Sequence, residues 1–292
     1  VTIFRFPDFR VRRRVNDVLH KSAGDYEPRG RLDPAAFERH VRFHTVPPPA
    51  DLAPFIEHAW VIRWDDAGID YHSEEVMHRP YVDLFVSAQE TGVQGTFRGK
   101  RTYVASGSGR IIGIRFRPGA FHAVWDGALA GLQDRVIDLQ EVFPEADRRF
   151  VARLLAGDDQ AVINGLFDLV RATNPQPDSN IDLINEIIAA IETDESLQTV
   201  SAVASGFGRS ERWLQQLFRD YLGIGLKWLL QRHKLLAAAA RIRETAKPNW
   251  ADIAYDLGYS SQQHFITDFR RVLGKTPVQY KKDLTAPDAD VG

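Results

Sequence analysis

Large apolar residues change their spacing partway along the chain. Up to Phe116 they come in short runs rich in β-branched and aromatic residues: Trp60 to Trp64, Tyr81 to Ser87, Thr102 to Ala105 and Ile111 to Phe116. Turn formers separate these runs, at Pro47-Pro48-Pro49, Asp65-Asp66-Ala67-Gly68, Glu90-Thr91-Gly92, Arg98-Gly99-Lys100 and Ser106 to Gly109. Spacing of this kind predicts an antiparallel sandwich or small barrel. From about Ala120 the period lengthens. Leu129, Leu132, Val136 and Leu139, then Phe150, Leu154 and Leu155, fall on helix faces, so two or three helices follow the β core.

Residues 173–180 contain two prolines and no large apolar residue, and read as a linker. Beyond it the period is helical. Ile181, Ile184, Ile187, Ile188 and Ile191 define an amphipathic first helix. Val200, Val203, Ala204 and Phe207 make a short helix closed by Gly208. Ser210 is then the N-cap candidate for a helix carrying Trp213, Leu214, Leu217, Phe218 and Tyr221, which Gly223 ends. Leu226 to Glu244, with four consecutive alanines and no breaker, predicts one continuous helix. The small unit then recurs: Ile253, Ala254 and Leu257 before Gly258, Ser261 as cap, and Phe265, Phe269, Val272 and Leu273 before Gly274. Ser210 and Ser261, Leu214 and Phe265, Phe218 and Phe269, and Gly223 and Gly274 all keep one offset of 51 residues. This is an internal repeat of a short helix, a glycine turn and a capped second helix, the pattern of a helix-turn-helix.

The expected organisation is α+β. An amino-terminal antiparallel β domain with trailing helices covers 1–172, followed by the linker over 173–180. An all-α domain of two helix-turn-helix units joined by a long helix covers 181–282, and 1–35 and 283–292 read as flexible ends. With 44% hydrophobic and 26% charged residues the chain is globular. Its longest apolar run, Leu235 to Ala240, is far short of the roughly 20 residues of a membrane span. No apolar stretch follows Arg5, Arg10, Arg12, Arg13 and Arg14, so neither a membrane anchor nor a secretory signal is expected and the location is cytoplasmic by default. Absence of cysteine excludes disulfides, thiolate metal sites and cysteine nucleophiles.

Net charge is −2, which at first argues against a nucleic-acid partner. The sum conceals a division. From Leu197 to Lys282 there are 14 Lys plus Arg and 6 Asp plus Glu, net +8, leaving net −10 on the remainder. A basic helical segment suits DNA phosphates, because its cations displace condensed counterions. The long helix, 19 residues, would span roughly 28 Å. With the width of its flanking units it can set two recognition helices about 34 Å apart, one turn of B-DNA.

The second copy, Asp252-Ile253-Ala254-Tyr255-Asp256-Leu257-Gly258-Tyr259-Ser260-Ser261-Gln262-Gln263-His264-Phe265, continuing from Phe269 through Gly274-Lys275-Thr276-Pro277 to Tyr280, resembles the signature of the AraC family of bacterial transcriptional regulators. The first copy, Ala204 to Gly223, matches more loosely, and the resemblance covers about 181–282. Upstream, Phe55-Ile56-Glu57-His58-Ala59-Trp60 and Gly113-Ile114-Arg115-Phe116-Arg117-Pro118-Gly119-Ala120 look like the cupin-related sensor domain often joined to such halves. The resemblance implies a transcription activator that binds double-stranded DNA, with RNA polymerase as a partner, a small-molecule effector at the first domain, a homodimer, and no cofactor.

The resemblance also assigns residues. Arg212, Gln215, Gln216, Gln262, Gln263 and Thr267 form the base-facing set, since Gln can bond adenine and Arg guanine bidentately. Ser210, Arg219, Ser261, His264, Arg270, Arg271 and Lys275, with Lys281 and Lys282, go to the sugar–phosphate backbone. Gln216 and Thr267 stand where many relatives carry Arg, and Ile266 offers a methyl contact or local packing. For the effector, the candidates are Trp60, Trp64, Phe85, Arg115 and Phe116, with Tyr81, Phe97 and Tyr103 near; each aromatic could equally be core.

Two alternatives stay open. One is a metal-dependent cupin-type enzyme domain fused to the DNA-binding module. His20, His40, His44, His58, His72, His78 and His122 precede the linker, but none forms a His-x-His pair, and His72, Glu74, Glu75 and His78 sit in a turn-like stretch without barrel spacing. The other is a first domain that only dimerises.

Overall fold

A computed structural model describes residues 41–76, 80–97 and 100–285. The Arg10 to Arg14 cluster, His20, His40, His78 and the side chains of His72, Glu74, Glu75 and Tyr103 lie outside what it describes. Strands β1 (Arg42–Val46), β2 (Ile56–Val76), β3 (Asp83–Ser87), β4 (Thr91–Gln94), β5 (Lys100–Phe116) and β6 (Val136–Ile137) form one antiparallel sheet in the order β1-β2-β5-β3-β4-β6. Two of the predicted turns are absent. Asp65 to Gly68 lies inside β2 and Ser106 to Gly109 inside β5, paired with each other as Asp65 with Ser108 and Asp66 with Gly107. The next pair is Tyr71 with Ala105, so β2 advances five residues while β5 advances two. The turn formers make a bulge in a continuous two-stranded ribbon, and Gly107 takes a positive φ of 62° there.

Alternation divides the sheet into two faces. Ala59, Val61, Leu84, Val86, Ile112, Ile114 and Phe116 point to one, where they form the main core with Phe121, Leu129, Leu132 and helices α1 (Leu139–Val142), α2 (Arg148–Ala156) and α3 (Asp159–Ala172). Asp159, at the start of α3, ties this layer to the sheet by accepting from Arg63 of β2 and Arg110 of β5, at 2.5 and 2.8 Å. Burial works to raise its carboxyl pKa, but the two guanidinium groups more than offset this and hold it below the usual aspartate value. Trp60 and Trp64 point to the opposite face and lie across their β5 partners Gly113 and Gly109. A Cβ on Gly113 or Gly109 would come within 2.5 and 2.4 Å of those rings, so the cross-strand stacking requires glycine at both positions.

The helical half contains α4 (Ser179–Thr193), α5 (Val200–Gly206), α6 (Glu211–Leu222), α7 (Leu226–Glu244), α8 (Trp250–Asp256), α9 (Gln262–Leu273) and α10 (Pro277–Thr285). Asp178, Thr199, Ser210, Asn249 and Ser261 each cap a following helix through a side-chain oxygen, a device worth typically about 1 kcal/mol per helix. The repeat holds to the residue. α6 and α9 both have 12 residues, start 51 apart after a serine cap, and end on Gly223 and Gly274 in the left-handed region, φ 69° and 75°. Each unit has its own core. Leu214, Leu217, Phe218 and Leu222 pack with α4, α5 and the first half of α7; Phe265, Phe269 and Leu273 pack with Tyr280 and the second half of α7.

The two units differ in what lies beneath them. The first rests on the β domain. Gln133 Nε2 donates to the Gly223 carbonyl, Thr96 to the Leu222 carbonyl at 3.4 Å, and Asn185 of α4 to the Pro118 carbonyl at 2.9 Å. His122 stacks on Tyr221 at 4.2 Å, and the Tyr221 hydroxyl donates to Asp178 while accepting from Asn180. Burial, with Asp178 beside it, raises the Tyr221 phenol pKa. Ile181 is buried in the main core of the β domain. Among the described residues, no helix is long and apolar enough to cross a membrane.

Candidate DNA interface

The outer faces of α6 and α9 follow from their apolar phase. In α6, burial of Leu214, Leu217, Phe218 and Leu222 leaves Glu211, Arg212, Gln216, Arg219 and Asp220 exposed. Trp213, partly exposed, lies under the Arg209 guanidinium at 5.0 Å. Gln216 is held along the helix, donating to Asp220 at 2.7 Å and accepting from Arg219 at 3.2 Å. Gln215 is half-buried and turned toward the start of α7, where a Cβ on Gly225 would sit 2.9 Å from its side-chain oxygen.

In α9, burial of Phe265, Asp268, Phe269 and Leu273 leaves Gln262, Gln263, His264, Thr267, Arg270 and Arg271 exposed. Thr267 turns its hydroxyl back to the Gln263 carbonyl at 2.8 Å, and Ile266 is half-buried against the unit's core. Both cap serines accept a backbone N–H, Ser210 from Trp213 and Ser261 from His264. Lys275 pairs with Asp283 at 2.6 Å, and Lys281 donates to the Ile242 carbonyl near the end of α7. Two exposed glutamines on α9 and Arg212 on α6 are thus the base-reading candidates whose side chains stand outward, whereas Gln216 and Thr267 are hydrogen-bonded along their own helices and Gln215 is half-buried beside the start of α7.

Sequence reasoning passed over Asp268. It is buried on the inner side of α9, yet accepts from Gln231 of α7 at 2.6 Å and from Arg271 at 2.9 Å, with His264 Nε2 3.7 Å away. An acid in the apolar phase of an amphipathic helix was the available signal, sharpened by the repeat. Fifty-one residues earlier stands Leu217.

The proposed effector residues do not all meet. Trp60, Trp64, Phe85 and Arg115 share the sheet face away from the main core, with Trp60, Gly113 and Phe85 in one cross-strand row. Phe116 does not join them. As the neighbour of Arg115 in an extended strand it projects to the opposite face, fully buried and edge-on to Phe121 at 5.0 Å. Arg115 forms two hydrogen bonds of 2.8 Å with Asp83 and lies 4.8 Å from the Tyr81 ring. Its charge is therefore already matched.

A helix-turn-helix domain model matches residues 203–283, and a domain of unknown function (DUF6597) matches residues 44–138. The chain is 38% identical over 108 residues to the regulatory protein SoxS of Escherichia coli strain K12, covering 36% of this chain and 99% of SoxS. It is 30% identical over 111 residues to the probable transcription factor PqrA of Proteus vulgaris, covering 37% and 89%. Among solved structures, the DNA-binding domain of AdpA in complex with a target DNA is 27% identical, covers 34% of this chain and 88% of that one, and has a TM-score of 0.30. ToxT from Vibrio cholerae O395 is 11% identical, with coverage of 85% and 98% and a TM-score of 0.34.

Proposed function

The chain belongs to the AraC family of DNA-binding transcriptional regulators, and from that premise we propose that it seats α6 and α9 in two successive major grooves on one face of the duplex. The observation that carries this reading is the residue-for-residue repeat. Two capped 12-residue helices with exposed polar faces are held by a 19-residue connecting helix on a segment of net positive charge. Arg212, Gln262 and Gln263 are the principal base readers. Gln216 and Thr267 contribute after releasing their present partners, and Gln215 after turning outward from the start of α7. Ser210, Arg219, Ser261, His264, Arg270, Arg271 and Lys275 serve the backbone. Gln263→Ala should weaken binding to a preferred site by about 1 to 3 kcal/mol and leave binding to unrelated DNA nearly unchanged. Titration of both duplexes measures this, and equal loss on the two overturns the base-reading role.

This family is one of transcription regulators and not of enzymes. For this chain, the reading includes activation through contact with RNA polymerase in the cytoplasm, as a homodimer, with the sensing domain and the reading domain divided within 173–178, since the expected linker's last two residues, 179–180, already belong to α4. The sensing site is the sheet face that carries Trp60, Trp64, Phe85 and Arg115. Because Asp83 already matches Arg115, that face suits an uncharged planar molecule better than an acid, which would have to displace the aspartate. A library of uncharged aromatic compounds and a matched library of aromatic acids, compared by melting temperature, separate these cases. A ligand of the folded state raises the melting point by mass action. The uncharged set should supply the hits; hits confined to the acids would refute the neutral-ligand reading.

A further inference from the structure

Asp268 is the one charged residue in the inner phase of either recognition helix. The repeat tells what it is not for. Its counterpart Leu217 is buried in the first unit's core, so this architecture packs a leucine at the position without difficulty. Burying a carboxylate instead carries a desolvation cost that its partners must offset. Those partners are informative. Gln231 belongs to the connecting helix α7, so its 2.6 Å hydrogen bond fixes α9 against the element that also carries the first unit. Arg271 and His264 stand on the outer side of α9, in its last and first turns, and both lean on the same carboxylate, at 2.9 and 3.7 Å. The charge of Asp268 also acts on Tyr259, whose phenol is pushed well above its usual pKa chiefly by burial and further by this carboxylate.

We infer that Asp268 is a positioning residue for DNA reading: through Gln231 it sets the placement of α9 relative to the first unit, and it fixes the Arg271 guanidinium and the nearby His264 ring, which follow the base-reading glutamines along the helix. This rests on α9 being a reader, as proposed above. It differs from a role in stability, because the fold has an apolar solution at this position and does not use it.

The test uses the full-length protein, a duplex selected by that protein from a random library, and a scrambled duplex of equal length. Asp268→Leu should keep a melting temperature at or above that of the parent, as Leu217 indicates. Its affinity for the selected duplex should fall about tenfold, with protection lost over the half-site of the second unit only. Binding to the scrambled duplex should rise severalfold and grow steeper in salt by about one counterion, because Arg271 is released and a negative charge is gone. Gln231→Leu, which removes only the bond between helices, should weaken the second half-site without that rise. A purely structural aspartate would lower both affinities together or neither. If Gln263→Ala loses discrimination while Asp268→Leu and Gln231→Leu retain it, the positioning role is overturned and the reading of α9 stands. If all three variants retain it, the reading of α9 fails first. Should Asp268→Leu fail to fold, an unchanged footprint in Gln231→Leu overturns the inference on its own.

Discussion

Gly223→Ala is expected to destabilise the protein by about 3 kcal/mol, against about 1 kcal/mol for Gly274→Ala. Both glycines end a recognition helix with positive φ, so the left-handed strain is common to the two substitutions. What differs is the surroundings. A Cβ on Gly274 would meet nothing within 4 Å, whereas one on Gly223 would lie 2.6 Å from the Leu129 carbonyl oxygen and 3.0 Å from the Ala130 nitrogen. Those are backbone atoms of the Leu129–Leu132 turn and cannot swing aside like the end of a long side chain. The Gln133 bond to the Gly223 carbonyl would be strained by the same shift. Urea unfolding of the two variants measures the difference, and equal losses would show that the β domain does not grip the first unit as described.

Asp83→Ala should cost about 3 kcal/mol, because it takes the carboxylate with two hydrogen bonds away from a largely buried Arg115 guanidinium. Side-chain exposure is 16% for Arg115 and 8% for Asp83, so water cannot readily replace the lost partner. Replacing both, Asp83→Leu with Arg115→Met, should recover the parent's stability to within about 1 kcal/mol, since the expense lies in removing one member of a buried ion pair rather than in lacking the pair. Chemical denaturation of the two single variants and the double variant completes the cycle. A double variant as unstable as Asp83→Ala would mean that the pair has an irreplaceable role on that sheet face.

The helical half was legible in the sequence because its signals are local. A serine cap, an apolar phase and a terminal glycine lie within 14 residues of each other, and Leu226–Glu244 emerges with the bounds that its lack of breakers suggested. The β half was less legible. Turn chemistry at Asp65–Gly68 and Ser106–Gly109 is also local, yet each stretch has the other as its ladder partner, and pairing outweighed the turn preference. Alternation along β5 already separates Arg115 from Phe116, and grouping both in one pocket overlooked it. Apart from Ile181, the contacts that hold the first unit to the β domain had no periodic signature. Gln133 and Gly223, or His122 and Tyr221, are polar or small residues about a hundred positions apart, related only by the folded chain. Asp268 was visible in principle, as the acid that breaks an apolar phase, but only comparison with Leu217 gives that break a meaning.

Joining the two reading units by one unbroken helix makes their relative orientation a matter of rotational phase. Adding a single residue to α7 would turn the second unit by about 100° and advance it by about 1.5 Å, carrying its glutamines away from the face of the duplex that the first unit addresses. Only whole numbers of turns keep the phase. An insertion of seven residues, close to two whole turns, would move the second unit by about 10 Å, or about three base pairs. On the proposed seating, side chains on α6 and α9 can change one at a time to meet new sites, while the length of α7 is held to a few permitted values by the pitch of the DNA helix.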